Sequence, residues 1–212
     1  LVNLAFAGSI KEWINIIGVL VIITLLLSNA MGLAQSNAKR MLAYSSVSHA
    51  GYLALIFFGA NSLSLYNLAF YLFAYSLSTI GVFLTLIWVE KIKRETSFEA
   101  FKGLAKTEPI AAVATAVSLL SMAGIPLTAG FVAKFSIFAQ AMNGAAFLVL
   151  IAVIGSALSI AYYLRLIISM FFHKESSFKT SEKMSITYNI VAIFIIVAIL
   201  ALGIYPDLFK MQ

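Results

Sequence analysis

Residues 125–135, IPLTAGFVAKF, place Lys134 inside a long apolar stretch close to Pro126 and Gly130. A lysine near the centre of a membrane helix opposes insertion by roughly 2.5–3.5 kcal/mol. Proline removes a backbone hydrogen bond and clashes with the preceding turn, so a helix is expected to break at this point, after Gly124. A break at membrane depth is tolerated only where it is buried in protein or lines a wet cavity. The stretch therefore predicts a membrane helix that is broken beside a functional lysine.

The composition of the chain indicates a membrane protein. Of 212 residues, 62% are hydrophobic and 10% are charged, and the mean hydropathy is +1.02. Soluble domains carry about 25% charged residues, so this chain could not cover a soluble surface. The absence of Cys excludes disulfides and Cys-ligated zinc or iron–sulfur clusters within the chain. His49 and His173 lie too far apart in sequence to suggest a metal site.

Long apolar runs give the fold class. A bilayer core about 30 Å thick needs about 20 apolar residues for each helical crossing. We therefore predict an all-α, polytopic membrane helix bundle of six transmembrane segments, with the fourth a broken helix. The six runs are 14–34, 41–60, 64–89, 109–142, 146–172 and 186–206.

The basic residues predict the orientation of the segments. Ten Lys and Arg residues occupy the loops after the first, third and fifth runs, whereas the loops around Asn61 and Asn143 have none. The positive-inside rule places the ten in the cytoplasm and both chain ends, near Lys11 and Lys210, outside. This distribution, in short clusters between apolar runs, argues against a nucleic-acid partner despite the net charge of +6. The ten are Lys39, Arg40, Lys91, Lys93, Arg94, Lys102, Lys106, Lys174, Lys179 and Lys183.

The stretch KRMLAYSSVSHAGY, residues 39–52, carries a histidine deep in the second run. His49 lies nine residues beyond Arg40, which is roughly 14 Å along a helix. Ser45, His49 and Tyr52 share one helical face, with Tyr44 beside it. A neutral histidine bonded to a neighbouring helix would fit this pattern. We favour a proton relay, because unperturbed imidazole titrates near pH 6.5.

Lys134 and Arg165 are the basic residues inside the runs, and all eight acidic residues sit in loops or at helix ends. Burial disfavours a charged ammonium group, so a buried Lys134 is predicted to gain and release a proton. The alternative is that Lys134 extends to the lipid headgroups. We expect Arg165 to reach the cytoplasmic interface in that way, and His173 to be a solvated loop residue.

Hydroxyl and amide side chains form polar stripes on three further runs. Most hydroxyls in membrane helices only bond other helices or their own backbone carbonyls. Several stripes beside His49 and Lys134 would also suit a hydrated path. The stripes are Asn67, Tyr71, Tyr75 and Ser78, then Thr115, Ser118 and Ser121, then Ser156, Ser159 and Tyr163. The residues predicted to support the path are Tyr44, Ser45, Tyr52, Tyr71, Tyr75, Ser118, Ser121 and Tyr163.

Two motifs carry a family resemblance. QSNAKRMLAYSSVSHAGY at 35–52 and SMAGIPLTAGFVAKF at 121–135 resemble the antiporter-like membrane subunits of NADH:quinone oxidoreductase, or respiratory complex I. The same family includes subunits of sodium/proton antiporters and membrane-bound hydrogenases. The lysine in GFVAKF fits the subunit N branch. The likeness extends over nearly the whole chain.

The resemblance implies an arrangement of repeats. Residues 1–172 would be the second antiporter-like five-helix repeat, and 173–212 a cytoplasmic loop with a final helix. Lys134 would match the broken-helix lysine and His49 the central histidine of the neighbouring helix. The chain would then be the C-terminal portion of a longer polypeptide, which is also the interpretation suggested by its start at Leu1 without Met.

The resemblance also implies partners and cofactors. The chain itself would hold no cofactor and would translocate protons, while NADH, FMN, iron–sulfur clusters and quinone would act in other subunits. Its partners would be membrane and peripheral subunits and lipids of the plasma membrane. The residues alone leave open a cation/proton antiporter subunit or membrane-bound hydrogenase, and a purely structural membrane scaffold.

Overall fold

The structure, a computed structural model, describes residues 10–59, 63–173 and 183–209, with the side chains of 10–12 left out. Within these ranges the chain is helical and has no strand, only an isolated bridge between Asn37 and Ser97. The predicted all-α fold is confirmed. The helices are α1 Ile10–Leu33, α2 Ala38–Ala54, α3 Ser64–Lys93, α4 Leu104–Thr107, α5 Pro109–Ala123, α6 Ala129–Phe171 and α7 Ile186–Ile204. Single 3-10 turns occupy Leu55–Phe58, Phe98–Phe101 and Pro206–Phe209.

Five helical stretches in the described ranges are long and apolar enough to cross a membrane. These are Trp13–Leu33, Ala38–Phe58, Ser64–Lys93, Ala129–Phe171 and Ile186–Ile204. The shorter α5 is the N-terminal part of the predicted fourth segment. Helix α3 continues one turn beyond the predicted third run and ends where Arg94 adopts a left-handed conformation, with φ 60°. The orientation markers Asn61, Ser62, Lys174, Lys179 and Lys210, and the side chain of Lys11, lie outside the described residues.

Helix α6 is too long for a single crossing and folds back on itself. Its 43 residues would span about 65 Å at 1.5 Å per residue. Ala145 has non-helical backbone angles, φ −155° and ψ 53°. The Nζ of Lys134 lies 2.9 Å from the Oγ of Ser156, although 22 residues of straight helix would separate them by about 33 Å. Residues 129–144 and 146–171 are therefore two antiparallel arms, which accounts for the predicted fourth and fifth segments.

Helix α5 and the first arm of α6 form one broken crossing that follows α3. Thr85 of α3 bonds Thr115 of α5 at 2.8 Å, and Ser78 bonds Ser121 at 2.9 Å. Further along α3, in the direction of its N-terminus, the amide of Asn67 donates to Gln140 of α6 at 2.8 Å. Residue numbers along these contacts fall on α3 while they rise on α5 and α6. The broken pair is thus antiparallel to α3, as expected for the predicted fourth segment.

The break itself occupies residues 124–128. Gly124 ends α5 in a left-handed conformation, with φ 84°, and its N–H donates to the carbonyls of Leu120 and Ser121. The hydroxyl of Thr128 accepts a hydrogen bond from the N–H of Phe131 and so caps the start of α6. Pro126 lies in the exposed turn between the two caps, as the sequence predicts. Because both helix ends are capped, the interruption is a built feature of the fold.

Candidate functional site

His49 of α2 and Lys134 of α6 line a common cavity of about 10 Å³. Both side chains are almost completely buried, with exposed fractions of 5% and 4%. Residues of α3 and α5 complete the wall, so the cavity lies where the break between α5 and α6 meets α2 and α3. The remaining lining residues are Tyr71, Ala74, Tyr75, Ser78, Ser121, Met122, Gly130 and Ala133. At about 10 Å³ the cavity has room for about one water molecule, for which its hydroxyl, imidazole and amine groups offer hydrogen-bond partners.

The amine of Lys134 is held by neutral groups on two elements. Its Nζ donates to the carbonyl oxygen of Ala123 at 3.0 Å and to the hydroxyl of Ser156 at 2.9 Å. Ser156 in turn donates to the same carbonyl, also at 3.0 Å. The aliphatic part of Lys134 passes Gly124 so closely that a Cβ there would lie 2.9 Å from the Cδ atom. The lysine therefore crosses the break and contacts both sides of it.

The break explains how a membrane helix tolerates this lysine. Ala123 is the last residue of α5, and carbonyls in a final helical turn have no partner within the helix. The C-terminal end of a helix also carries partial negative charge, which favours a cation by about 0.3–1 kcal/mol or more. Lys134 thus donates a hydrogen bond to a carbonyl that has no partner within α5. The partial negative charge at the end of α5 in turn stabilises the ammonium group.

Gly130 brings the two half-helices together at the cavity. Its N–H donates to the hydroxyl of Ser121 at 3.1 Å. A Cβ on Gly130 would collide with the backbone carbonyl of Ser121, so only glycine fits this position. Gly130 lies in the first turn of α6, and it serves close packing more than the interruption of the helix.

His49 faces two tyrosines of α3. Its Nδ1 lies 2.8 Å from the hydroxyl of Tyr71, and its ring packs against Tyr75 with centroids 4.5 Å apart. Tyr71 is almost fully buried, whereas Tyr75 is half-buried. The imidazole thus shares a hydrogen bond with one hydroxyl while its face is covered by the other ring. Either nitrogen of a neutral imidazole can carry the proton, so the group can both accept and donate one.

Tyr52 lies between the two titratable side chains. The Nζ of Lys134 is 4.6 Å from the centroid of the Tyr52 ring, and the His49 ring meets the same ring edge to face at 5.8 Å. The Tyr52 hydroxyl accepts a long hydrogen bond of 3.5 Å from the amide of Asn29. Asn29 also accepts a hydrogen bond of 3.1 Å from Tyr162.

Buried polar groups continue from this site along α2, in the direction of its N-terminus. Tyr163 and Ser45 share a hydrogen bond, and the hydroxyls of Ser48 and Ser28 are 2.7 Å apart. Tyr163 packs against Tyr162 with ring centroids 4.6 Å apart. These residues lie between the cavity and the N-terminal end of α2, which carries Lys39 and Arg40.

The opposite side of the cavity is closed by packing. Ile137, one turn beyond Lys134, is fully buried in a cluster that includes Phe70. Beyond it, Gln140 accepts from Asn67 and donates to Ser64 at 2.7 Å. Primary amides do not gain protons readily, so this end presents an apolar layer followed by a bonded amide pair.

Five of the eight predicted path residues do not line the cavity, namely Tyr44, Ser45, Tyr52, Ser118 and Tyr163. Tyr44 is half-buried and does not line it. Ser118 is fully buried against Gly81, and its Oγ has no hydrogen-bond partner among the described residues. Arg165 donates to the carbonyl of Leu33 at 2.6 Å and stacks over Phe98, which places it at the end of α1.

Sequence reasoning missed Asn29 and Tyr162, and it did not connect Ser156 with Lys134. Asn29 lies in the first described span, and a completely buried amide in a membrane helix needs partners from other helices. Its presence in an apolar run was the signal that could have identified it. The contact between Ser156 and Lys134 depends on the reversal at Ala145, which the spacing of the residues does not reveal.

Comparisons with known proteins support the motif resemblance. The family described as NADH:quinone oxidoreductase/Mrp antiporter, TM, matches residues 1–159. NADH-quinone oxidoreductase subunit N of Rhodococcus opacus is 37% identical over 199 residues, which cover 92% of this chain and 37% of that relative. Subunit N 1 of Herpetosiphon aurantiacus is 36% identical over 211 residues, covering 98% of this chain and 43% of that relative. The chain therefore spans about two fifths of the length of these curated relatives.

A solved structure shows the same fold. A chain of respiratory complex I from Thermus thermophilus superimposes with a TM-score of 0.79 and is 33% identical. The match covers 92% of the present chain and 44% of that one.

Proposed function

The chain belongs to the NADH:quinone oxidoreductase/Mrp antiporter transmembrane family, and from that membership we propose that it is part of a proton-translocating subunit N of an NADH:quinone oxidoreductase. In this proposal it acts as a membrane segment of the assembled enzyme. The oxidation of NADH and the reduction of quinone take place in partner subunits that hold FMN and iron–sulfur clusters. The similarity to subunit N relatives at 36–37% identity supports this function.

The observation that carries the proposal is the buried amine of Lys134 in a cavity shared with His49. An ammonium group has three donors and no acceptor, whereas the neutral amine can accept a proton. His49 can exchange protons with the amine across the cavity. The polar side chains that include Ser45 and Tyr163 supply the route from the basic loops, which we place in the cytoplasm. Release to the other side requires the packing at Ile137 and Gln140 to change.

Replacing Lys134 tests the function directly. We expect Lys134→Ala in the assembled complex to lower the number of protons pumped for each pair of electrons, while the exposed Lys91→Ala serves as the control. The measurement is proton uptake by membrane vesicles or proteoliposomes during NADH oxidation, with electron transfer followed in parallel. An unchanged proton-to-electron ratio in Lys134→Ala, at normal turnover, would contradict the proposal.

A cation/proton antiporter subunit is the second candidate, because the matching family includes antiporters. This alternative predicts sodium transport without any dependence on NADH or quinone. Purified complex in proteoliposomes, assayed with a sodium gradient and no electron donor, distinguishes the two. A purely structural scaffold would not use the titratable groups that line the cavity. Normal pumping by the Lys134→Ala variant would favour this alternative.

A further inference from the structure

The ring of Tyr52 is the surface against which the Lys134 amine lies. Lys134 is bonded to Ala123 and Ser156 on one side, and the face of Tyr52 is 4.6 Å away. Tyr52 is 1% exposed, so no solvent competes for this contact. None of the groups bonded to the amine carries a formal charge, which makes the ring an unusual source of attraction for a cation at this depth.

We propose that Tyr52 positions Lys134, with its ring face binding the ammonium form, and that Asn29 holds the ring in place. The proposal rests on the proposed function, since it assigns a role in the same proton-carrying site. The ring acts through its quadrupole, whose negative face attracts a cation and has little attraction for a neutral amine. Tyr52 therefore favours the protonated state in one position without being a proton carrier itself.

Three contacts fix the orientation of the ring. The amide of Asn29 donates to the Tyr52 hydroxyl, and also to the carbonyl of Leu25 at 2.7 Å. Tyr162 donates to the other end of the same amide. Gly155 leaves room for this arrangement, because a Cβ there would lie 2.9 Å from the Asn29 nitrogen and 3.2 Å from the Tyr52 hydroxyl oxygen. A turn of the ring away from Lys134 would break the bond between its hydroxyl and Asn29.

The alternative role for Tyr52 is that its hydroxyl passes protons. The hydroxyl points to Asn29, an amide, at the upper limit of hydrogen-bond length. The contact with Lys134 is made by the ring face, whose centroid lies 4.6 Å from the Nζ atom. The geometry therefore separates two variants: Tyr52→Phe removes the hydroxyl and keeps the ring, and Tyr52→Leu removes both.

A fluorinated series isolates the ring effect. Tyr52→Phe is the parent, and phenylalanines carrying one, two and three ring fluorines are introduced at position 52 of the assembled complex. Fluorine withdraws charge from the ring face with little change in shape, so a packing role predicts no trend. We expect the rate of proton pumping to fall progressively along the series. The full loss from Tyr52→Phe to Tyr52→Leu should be up to about thirty-fold, equivalent to about 2 kcal/mol for a desolvated contact.

Phe135 provides the matched control. It neighbours Lys134 in the chain, but its side chain is 63% exposed on the outer surface of α6. The same fluorinated residues at position 135 should leave pumping unchanged. The fluorinated variants of position 52 are isosteric with Tyr52→Phe, so they remain informative even if Tyr52→Leu fails to assemble.

The outcomes distinguish this proposal from the function on which it rests. A flat series at position 52, with pumping still lost in Lys134→Ala, overturns the positioning role and leaves the function intact. Unchanged pumping in Lys134→Ala overturns the function. A progressive fall at position 52 with no effect at position 135 supports the assignment.

Discussion

At the scale of single residues, the burial of Lys134 is made possible by groups from three elements. Ala123 ends α5, Ser156 belongs to the second arm of α6, and Tyr52 belongs to α2. Breaking a buried charged network by removing one partner is more costly than any single bond suggests, because the charge stays buried. The loss of any one of these contacts is therefore expected to affect function more than the free energy of a single bond would suggest.

Ser156→Ala tests the hydroxyl contact. Hydrogen bonds to charged groups are worth about 1.5–3 kcal/mol, so the variant should pump protons roughly ten- to a hundredfold more slowly. Ser156→Thr keeps the hydroxyl and should retain more of the rate than Ser156→Ala. Thr107→Ala is the comparison variant, because the Thr107 hydroxyl donates to the carbonyl of Leu104 in its own helix and Thr107 does not line the cavity. Equal pumping by Ser156→Ala and the unchanged complex would contradict the role of this contact.

The sequence predicted which residues were candidates better than it predicted their contacts. Lys134 and His49 are recognisable because a titratable group in an apolar run is expensive and therefore noticeable. Their common cavity depends on contacts between helices far apart in the chain, such as His49 with Tyr71. The hydroxyl stripes were ambiguous for the same reason, and Ser118 proves to lie outside the cavity lining.

At the scale of elements, the break contains a residue in an unfavourable conformation. Leu127 has φ 72°, a left-handed conformation that costs a non-glycine residue roughly 1–2 kcal/mol. Its side chain is 66% exposed, so little apolar burial depends on it. The strain lies four residues after the end of α5 and one before the residue that caps α6.

Leu127→Gly should stabilise the protein by about 1 kcal/mol, because glycine adopts this conformation without the steric cost. The measurement is the detergent or thermal unfolding of the purified complex, followed at this subunit. Leu127→Val should have the opposite effect, since a β-branched residue at positive φ is strongly disfavoured. Destabilisation by Leu127→Gly would show that the side chain, and not the backbone, matters at this position.

The same elements show what local sequence can and cannot specify. Pro126 and Gly124 predicted the break because their effects on the backbone are local. The reversal within α6 was predicted as a boundary between two apolar runs, but not as a single non-helical residue, Ala145. Asn143 and Gly144 come directly before that point, and a Cβ on Gly144 would collide with the backbone carbonyl of Phe58.

At the scale of the whole molecule, the described basic residues of the loops collect at one end of the bundle. Lys39 pairs with Glu90 at 2.9 Å, which joins the start of α2 to the end of α3. The segments next to these two helix ends are also linked by backbone bonds, in which Ala38 donates to Thr96 and Phe98 to Ser36. Hydropathy and charge act on each segment separately, so this topology could be predicted from sequence.

Labelling tests the orientation, and the absence of Cys from the chain simplifies it. Asn143→Cys places a thiol on the exposed tip between the two arms of α6, and Lys91→Cys places one at the basic end. A membrane-impermeant maleimide added to intact cells should label Asn143→Cys, and should label Lys91→Cys only after permeabilisation. The parent complex without the new thiol gives the background. The reverse pattern would invert the proposed topology.

The hydrogen bond from Lys134 to the Ala123 carbonyl has a mechanical consequence. It fastens the first arm of α6 to the end of α5, and the ammonium form has one more N–H available for that purpose than the neutral amine. The protonation state of Lys134 is then coupled to the relative position of α5 and the first arm of α6. When the site empties, the two half-helices are held less firmly, and a displacement of either half by a neighbouring subunit would in turn change how readily the site fills.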